Sequence, residues 1–291
     1  MQGTIDEFSY GAVTPVAAFL MACLGAALGL RCTTRSLRTE RSFKAGWLAL
    51  GATSIGSGIW TMHFIAMMGF SVAEAPVGYD RPVTFASLAV AIVMVGVGIF
   101  LVGYRGATRM ALVTGGMITG LGVATMHYLG MAGMRLDGQF EYDTITVTLS
   151  VVVAVVASTA ALWAAVSIHG FLSSLGAAVV MGVAVSGMHY TGMAALRVHL
   201  HPAAVTATTP GDTPTGLLVP LLLGPACFLL LAGVVVMFDP LVVMGTPDWN
   251  DPAAVRAPGI PAQRQVPRFG THADPASFHS RRRHPVDHHE R

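Results

Sequence analysis

The sequence predicts an all-α membrane protein: a seven-transmembrane helix bundle built from three parallel two-helix repeats plus one helix, with the N-terminus outside and the C-terminus inside. Three observations predict it. The chain of 291 residues is 53% hydrophobic and 11% charged, too few charges to cover the surface of a soluble domain. Seven apolar runs are each long enough, at about 20 residues, to cross a bilayer. One pattern, Met-His-aromatic-x-small-Met, occurs three times, as Met62-His63-Phe64-Ile65-Ala66-Met67, Met126-His127-Tyr128-Leu129-Gly130-Met131 and Met188-His189-Tyr190-Thr191-Gly192-Met193.

Residues 1–12 carry Asp6 and Glu7 but no Lys or Arg. The first run, Val13 to Leu30, therefore lacks the basic flank of a cleavable signal peptide and reads as a retained helix behind a short extracytoplasmic N-terminus. Arg31, Arg35, Arg38, Arg41 and Lys44 follow as a basic loop on the cytoplasmic side. The second run, Ala45 to Val72, goes outward with the first motif, and the third, Val83 to Gly103, returns to Arg105 and Arg109. The fourth, Met110 to Met134, carries the second motif outward; the fifth, Thr144 to Ile168, returns; the sixth, Phe171 to Leu196, carries the third motif. The seventh, Leu217 to Phe238, ends inward at Asp239-Pro240, where proline favours a break. Fourteen of the seventeen Lys and Arg residues fall inside, against Arg81, Arg135 and Arg197 outside, and this bias sets the orientation. The membrane domain thus covers 13–244, and 245–291, rich in Pro, Arg, His and Asp, reads as a disordered cytoplasmic tail.

The repeat extends beyond the motif. Tyr79-Asp80 follows His63 at nearly the distance by which Tyr142-Asp143 follows His127, and a new span starts after each. The unit is a pair of spans of about 63 residues, so every copy enters the membrane in the same direction. The motif helices then all run outward, with each His seven to nine residues before its outer end, about 10–14 Å deep at 1.5 Å per residue. In each copy the His and the second Met are four residues apart and share a helix face. Imidazole and thioether together suit copper. Gly56 and Gly58, Gly120 and Gly122, and Gly182 with Ala184 precede the histidines, and such small residues would let a trio of motif helices pack closely.

A methionine stripe is ordinarily packing, and a single intramembrane histidine can be a satisfied core residue. Of the eleven histidines, however, only the three motif residues lie deep in an apolar span. Their shared neighbours favour a common metal or cofactor layer over a polar packing layer. Asp and Glu are absent from that layer, which disfavours Ca²⁺, Mg²⁺ and carboxylate acid–base chemistry. Cys23, Cys32 and Cys227 are too scattered for a disulfide framework or a zinc ribbon. No nucleotide or catalytic motif is present, so neither an enzyme nor a nucleic-acid partner is expected.

These residues resemble the MHYT-domain family of bacterial integral membrane sensor proteins. Met188-His189-Tyr190-Thr191 spells the family motif in full; the second copy has Leu129 after Met-His-Tyr, and the first has Phe64 for Tyr and Ala66 for Gly. The resemblance covers about residues 10 to 244. It implies a multi-pass protein of the bacterial cell membrane that binds copper near the outer face and responds to a diatomic gas (O2, CO or NO) or a redox signal. The ligands it implies are Met62, His63, Met67, Met126, His127, Met131, Met188, His189 and Met193. Phe64 removes any phenol from the first copy, leaving Tyr128 and Tyr190. Relatives carry cytoplasmic output domains, so a separate cytoplasmic or membrane signalling partner is expected to read this one. A haem- or copper-containing membrane redox protein and a copper transporter are the competing readings.

Overall fold

A computed structural model describes residues 2–37, 41–168, 170–200 and 214–238. Its helices are α1 Val13–Leu37, α2 Arg41–Met68, α3 Arg81–Arg105, α4 Arg109–Ala132, α5 Thr144–Ser167, α6 Phe171–Ala194 and α7 Pro214–Met237. Between them lie β1 Ile5–Asp6, β2 Ser71–Val72, β3 Gly78–Tyr79, β4 Met134–Arg135, β5 Gly138–Tyr142 and β6 Leu196–Leu200. Helices α1 to α6 pack in succession, and α6 returns to α1, closing a ring; α7 lies against α2 and α1.

The strands pair antiparallel as β1–β2, β3–β4 and β5–β6. Each structural unit is therefore a helix hairpin whose two flanking strands pair with each other. This frame is offset by one helix from the repeat read in the sequence, because the strands tie each motif helix to the span before it. The joints repeat as well: the amides of Ser9, Asp80 and Asp143 donate to the carbonyls of Gly69, Gly133 and Ala195 at 3.1, 2.8 and 2.9 Å. Residues 2–12 belong to this cap, since Gly3 N donates to Val198 O at 2.9 Å and Thr4 N to Glu74 Oε2 at 2.8 Å.

Among the described residues, six helices are long and apolar enough to cross a membrane, all but α2. That 28-residue helix carries Thr53, Ser54, Ser57, Thr61 and His63, and it holds them because protein encloses it: Leu48, Ser54, Trp60 and Phe64 have no exposure. The other helices present Leu20, Val93, Val113, Val156, Val183 and Leu231 outward, a surface suited to lipid.

The structure alters three expectations. Helix α1 runs to Leu37 and α2 begins at Arg41, so Arg31, Arg35, Arg41 and Lys44 stand on helices rather than in a loop, and Arg38 lies outside the described residues. Arg35 lies over Trp47 at 5.6 Å and Lys44 over Tyr104 at 5.3 Å, their aliphatic stems free to follow the apolar surface. The motif helices end at Met68, Ala132 and Ala194 rather than at 72, 134 and 196, because the chain leaves them to form β2, β4 and β6. Gly56, Gly120 and Gly182 seat these helices on Ile92 of α3, Val155 of α5 and Cys23 of α1 rather than on one another. Odd helices thus wedge between the motif helices. The tail 245–291 and most of the loop before α7 lie outside the described residues.

Asp80 and Asp143 explain the Tyr-Asp repeat. Each is an N-cap, accepting from Val83 N at 3.1 Å and Thr146 N at 2.9 Å and so satisfying a helix-end donor. Asp80 also takes a 2.6 Å hydrogen bond from Arg135 of β4, and the Arg135 contact, with the Val83 amide, holds its carboxyl below the usual range. A carboxylate whose folded pKa is depressed stabilises the fold above its unfolded pKa, about 3.9, and loses that contribution as pH falls through the lower folded value. Thermal melts in detergent should therefore be flat in this respect from neutral to about pH 4 and fall below it. Asp80→Asn, which retains a capping oxygen but not the ion pair, should melt lower at neutral pH and show a shallower acid limb. An unchanged acid limb would show that this pair contributes nothing.

Candidate metal centre

Each motif histidine stands five residues before the end of its helix: His63 before Met68, His127 before Ala132 and His189 before Ala194. At 1.5 Å per residue this is about 7.5 Å below the cap, shallower than the longer helices of the sequence reading implied. The common layer itself is present. All three side chains are at most 1% exposed, and their Nδ1 atoms form a triangle with sides of 3.0 Å (His63–His189), 3.2 Å (His127–His63) and 3.3 Å (His189–His127). The rings meet edge to face at interplanar angles of 76°, 78° and 88°, a three-bladed arrangement set by three helices of one direction.

A ring nitrogen of neutral imidazole either carries a proton or offers a lone pair. Around a triangle donors and acceptors cannot alternate, so one contact always sets like against like, whatever the tautomers. A cation taking all three lone pairs removes the conflict. Ligands about 2.0 Å from a tetrahedral metal are about 3.3 Å apart, close to the sides observed. The Nε2 atoms then carry the protons, and those of His63 and His127 are buried without a partner. Two such orphans cost about 2–6 kcal/mol together, less than the roughly 10–16 kcal/mol that a structural metal can supply. The donor set therefore fits a metal.

Glycines make room for the outer ring edges in cyclic order. A Cβ at Gly130 of α4 would stand 2.6 Å from His63 Nε2, and one at Gly192 of α6 would press on His127 Nε2 closer still. Ala66 on α2 holds the corresponding position of the first motif copy. Each His also meets the aromatic after it edge-on, at 4.6 Å for Phe64, 4.8 Å for Tyr128 and 5.0 Å for Tyr190.

Those aromatics are braced from outside. Phe64 meets Tyr79 at 6.2 Å, Tyr128 meets Tyr142 at 6.1 Å, and Tyr190 stacks on Phe8 at 5.9 Å. The Tyr128 hydroxyl is engaged with Ser150 Oγ at 2.6 Å, a bracing rather than a ligating arrangement. Phe8 completes this ring, and the sequence repeat misses it because one period before Tyr79 falls inside α1. An aromatic followed by a small polar residue shortly before a span, Phe8-Ser9 beside Tyr79-Asp80 and Tyr142-Asp143, was the signal that could have found it.

Met62, Met67, Met126, Met131, Met188 and Met193 are all at most 3% exposed and belong to one core cluster with Trp60, Phe64 and Phe70. The structure brings the three histidines into contact and places the six methionines in the surrounding core. Among the described residues the histidines are the group of His, Cys, Asp and Glu side chains placed to share a metal ion.

Fold and site together define a multi-pass helical membrane protein with three histidines converging in its interior. The chain belongs to the MHYT family, "Bacterial signalling protein N terminal repeat", which it matches at residues 56–115, 120–178 and 182–239. It is 38% identical over 197 residues to the bifunctional diguanylate cyclase/cyclic di-GMP phosphodiesterase MucR of Pseudomonas aeruginosa, covering 66% of this chain and 29% of that protein. It is 34% identical to the cyclic di-GMP phosphodiesterase NbdA of the same organism, over 66% of this chain and 25% of the relative. With the signaling protein YkoW of Bacillus subtilis it shares 32% identity, over 62% of this chain and 23% of the relative. The matched region is thus under a third of each relative's length. No solved structure matches the chain.

Proposed function

We propose that this chain is a membrane sensor domain in which His63, His127 and His189 hold one copper ion and a diatomic gas (O2, CO or NO) or a redox change at that ion is the stimulus. The observation that carries the reading is the Nδ1 triangle, three nitrogens within 3.3 Å of one another in a buried core. Imidazole suits copper, and thioethers suit its reduced form, so the six motif methionines are proposed as further or alternating ligands. Copper held by His63, His127 and His189 would supply a one-electron couple and an affinity for diatomic ligands. A ligand moves a helix arrangement only by binding two arrangements unequally, and here each nitrogen sits on a different helix, so any change in the triangle is felt by α2, α4 and α6 together. Helix α2 passes it to α7 through direct packing, and a separate cytoplasmic or membrane partner receives it. The haem alternative fits less well, because imidazoles in mutual contact leave no slot for a macrocycle.

Seven spans with an outside N-terminus accompany this reading, supported by the basic inner ends of α1 to α4; a C-terminal reporter active only on the outer side would overturn it. The purified protein should contain about one copper per chain, as a shared site requires, and its absorbance should shift on exposure to NO or CO. Protein that takes up no metal from copper-supplemented membranes would sink the proposal.

A further inference from the structure

Inside the six-helix ring, on the side of the histidines away from the strand cap, the helices leave a cavity of about 40 Å³. All six ring helices contribute to it. Its rim includes Ile59 and Val185, each four residues before a motif histidine, so it begins about 6 Å along the helix axes from the triangle. Val95, Ile99 and Leu162 continue the lining, and each is at most 5% exposed. Odd helices wedged between motif helices by the Gly56, Gly120 and Gly182 contacts hold this space open.

The volume exceeds the roughly 10–15 Å³ that one water needs, but a water also needs two to four polar partners. Of the three hydroxyls in the lining, that of Thr33 is already committed to Gly29 O at 2.8 Å, and Ser158 on α5 supplies another. That of Thr119, 7% exposed, has no partner. A small apolar molecule with one weak acceptor matches such a wall, with Thr119 Oγ1 donating to it. We propose that this cavity is a second binding site, for a diatomic gas, in series with the histidine triangle; the inference rests on the gas-sensing reading above.

Xenon probes the cavity without any metal, because dry apolar cavities take it up. Xenon NMR of the metal-free protein should show one saturable site. Ala161→Val on α5 and Val95→Leu on α3 each add carbon to the lining and should weaken xenon binding about tenfold or more. Val156→Ile, on the lipid-facing surface, should leave it unchanged. The filling variants lie on different helices, so one that misfolds by circular dichroism leaves the other to decide. In copper-loaded protein they should also slow the gas-induced absorbance change without lowering metal content. An absent saturable site, or xenon binding unchanged by both filling variants, would overturn the inference. A protein that binds xenon here but never binds copper would instead sink the sensor reading and leave the apolar site standing.

Discussion

Replacing any one of His63, His127 or His189 by Ala should remove nearly all of the bound metal rather than a third of it. Three independent sites would lose metal in proportion, but the Nδ1 atoms lie 3.0–3.3 Å apart, too close for more than one ion. Each histidine is then one of three first ligands, and even changes outside the ligand shell cost a metal site about 10–100-fold in affinity. The truncation also leaves a cavity in a tightly packed core, so circular dichroism and gel filtration must show that the variant folds. Met67→Leu separates ligation from packing, since that swap keeps volume and usually costs under about 1.5 kcal/mol. If Met67 is a ligand, its variant keeps the fold and loses affinity or shifts absorbance; if it is packing, both stay. Full metal content in all three histidine variants would mean that the triangle is a polar packing layer.

The residues of the centre were legible in the sequence because three copies of one pattern, each on a helix of the same direction, must lie at one depth whatever the packing. What the pattern could not supply was the partner of each surface. Gly56, Gly120 and Gly182 signalled close approach, but a glycine does not name the helix it meets, and the odd helices took that place. Phe8 completes the outer aromatic ring from outside the repeat period. The helix ends were misplaced because the first residues past them, Phe70 and Val72, Met134 and Leu196, are as apolar as the helices they follow, so hydropathy runs on where hydrogen bonding has already changed. Helix α2 presents the opposite case: its hydroxyls and histidine lower its hydropathy, yet burial within the protein accommodates them.

Gly130→Ala and Gly192→Ala should weaken metal binding about 10–100-fold while strengthening the helices that carry them. Ala is favoured over Gly in a helix by about 0.8–1.0 kcal/mol, so on local grounds both changes stabilise. Against this, a Cβ at Gly130 would stand 2.6 Å from His63 Nε2 and 3.1 Å from its Cδ2, well inside the roughly 3.5–4.0 Å of a comfortable contact. At Gly192 the new carbon would press on His127 Nε2 and lie 3.0 Å from Cδ2. Neither ring has a free direction of retreat, because Nδ1 already touches the other two histidines and an aromatic flanks each ring, Phe64 for His63 and Tyr128 for His127. The methyl must therefore displace the nitrogen from the triangle, and a loss of about 10–100-fold in metal affinity is expected from misorienting one ligand. Ala66→Gly, at the corresponding position of the first copy, should leave metal content intact, since removing a methyl crowds nothing. Elemental analysis after dialysis against a competing chelator reads all three variants. Unaltered metal content in Gly130→Ala and Gly192→Ala would show that the ring edges facing these glycines can yield without moving Nδ1, and that the glycines serve helix packing alone.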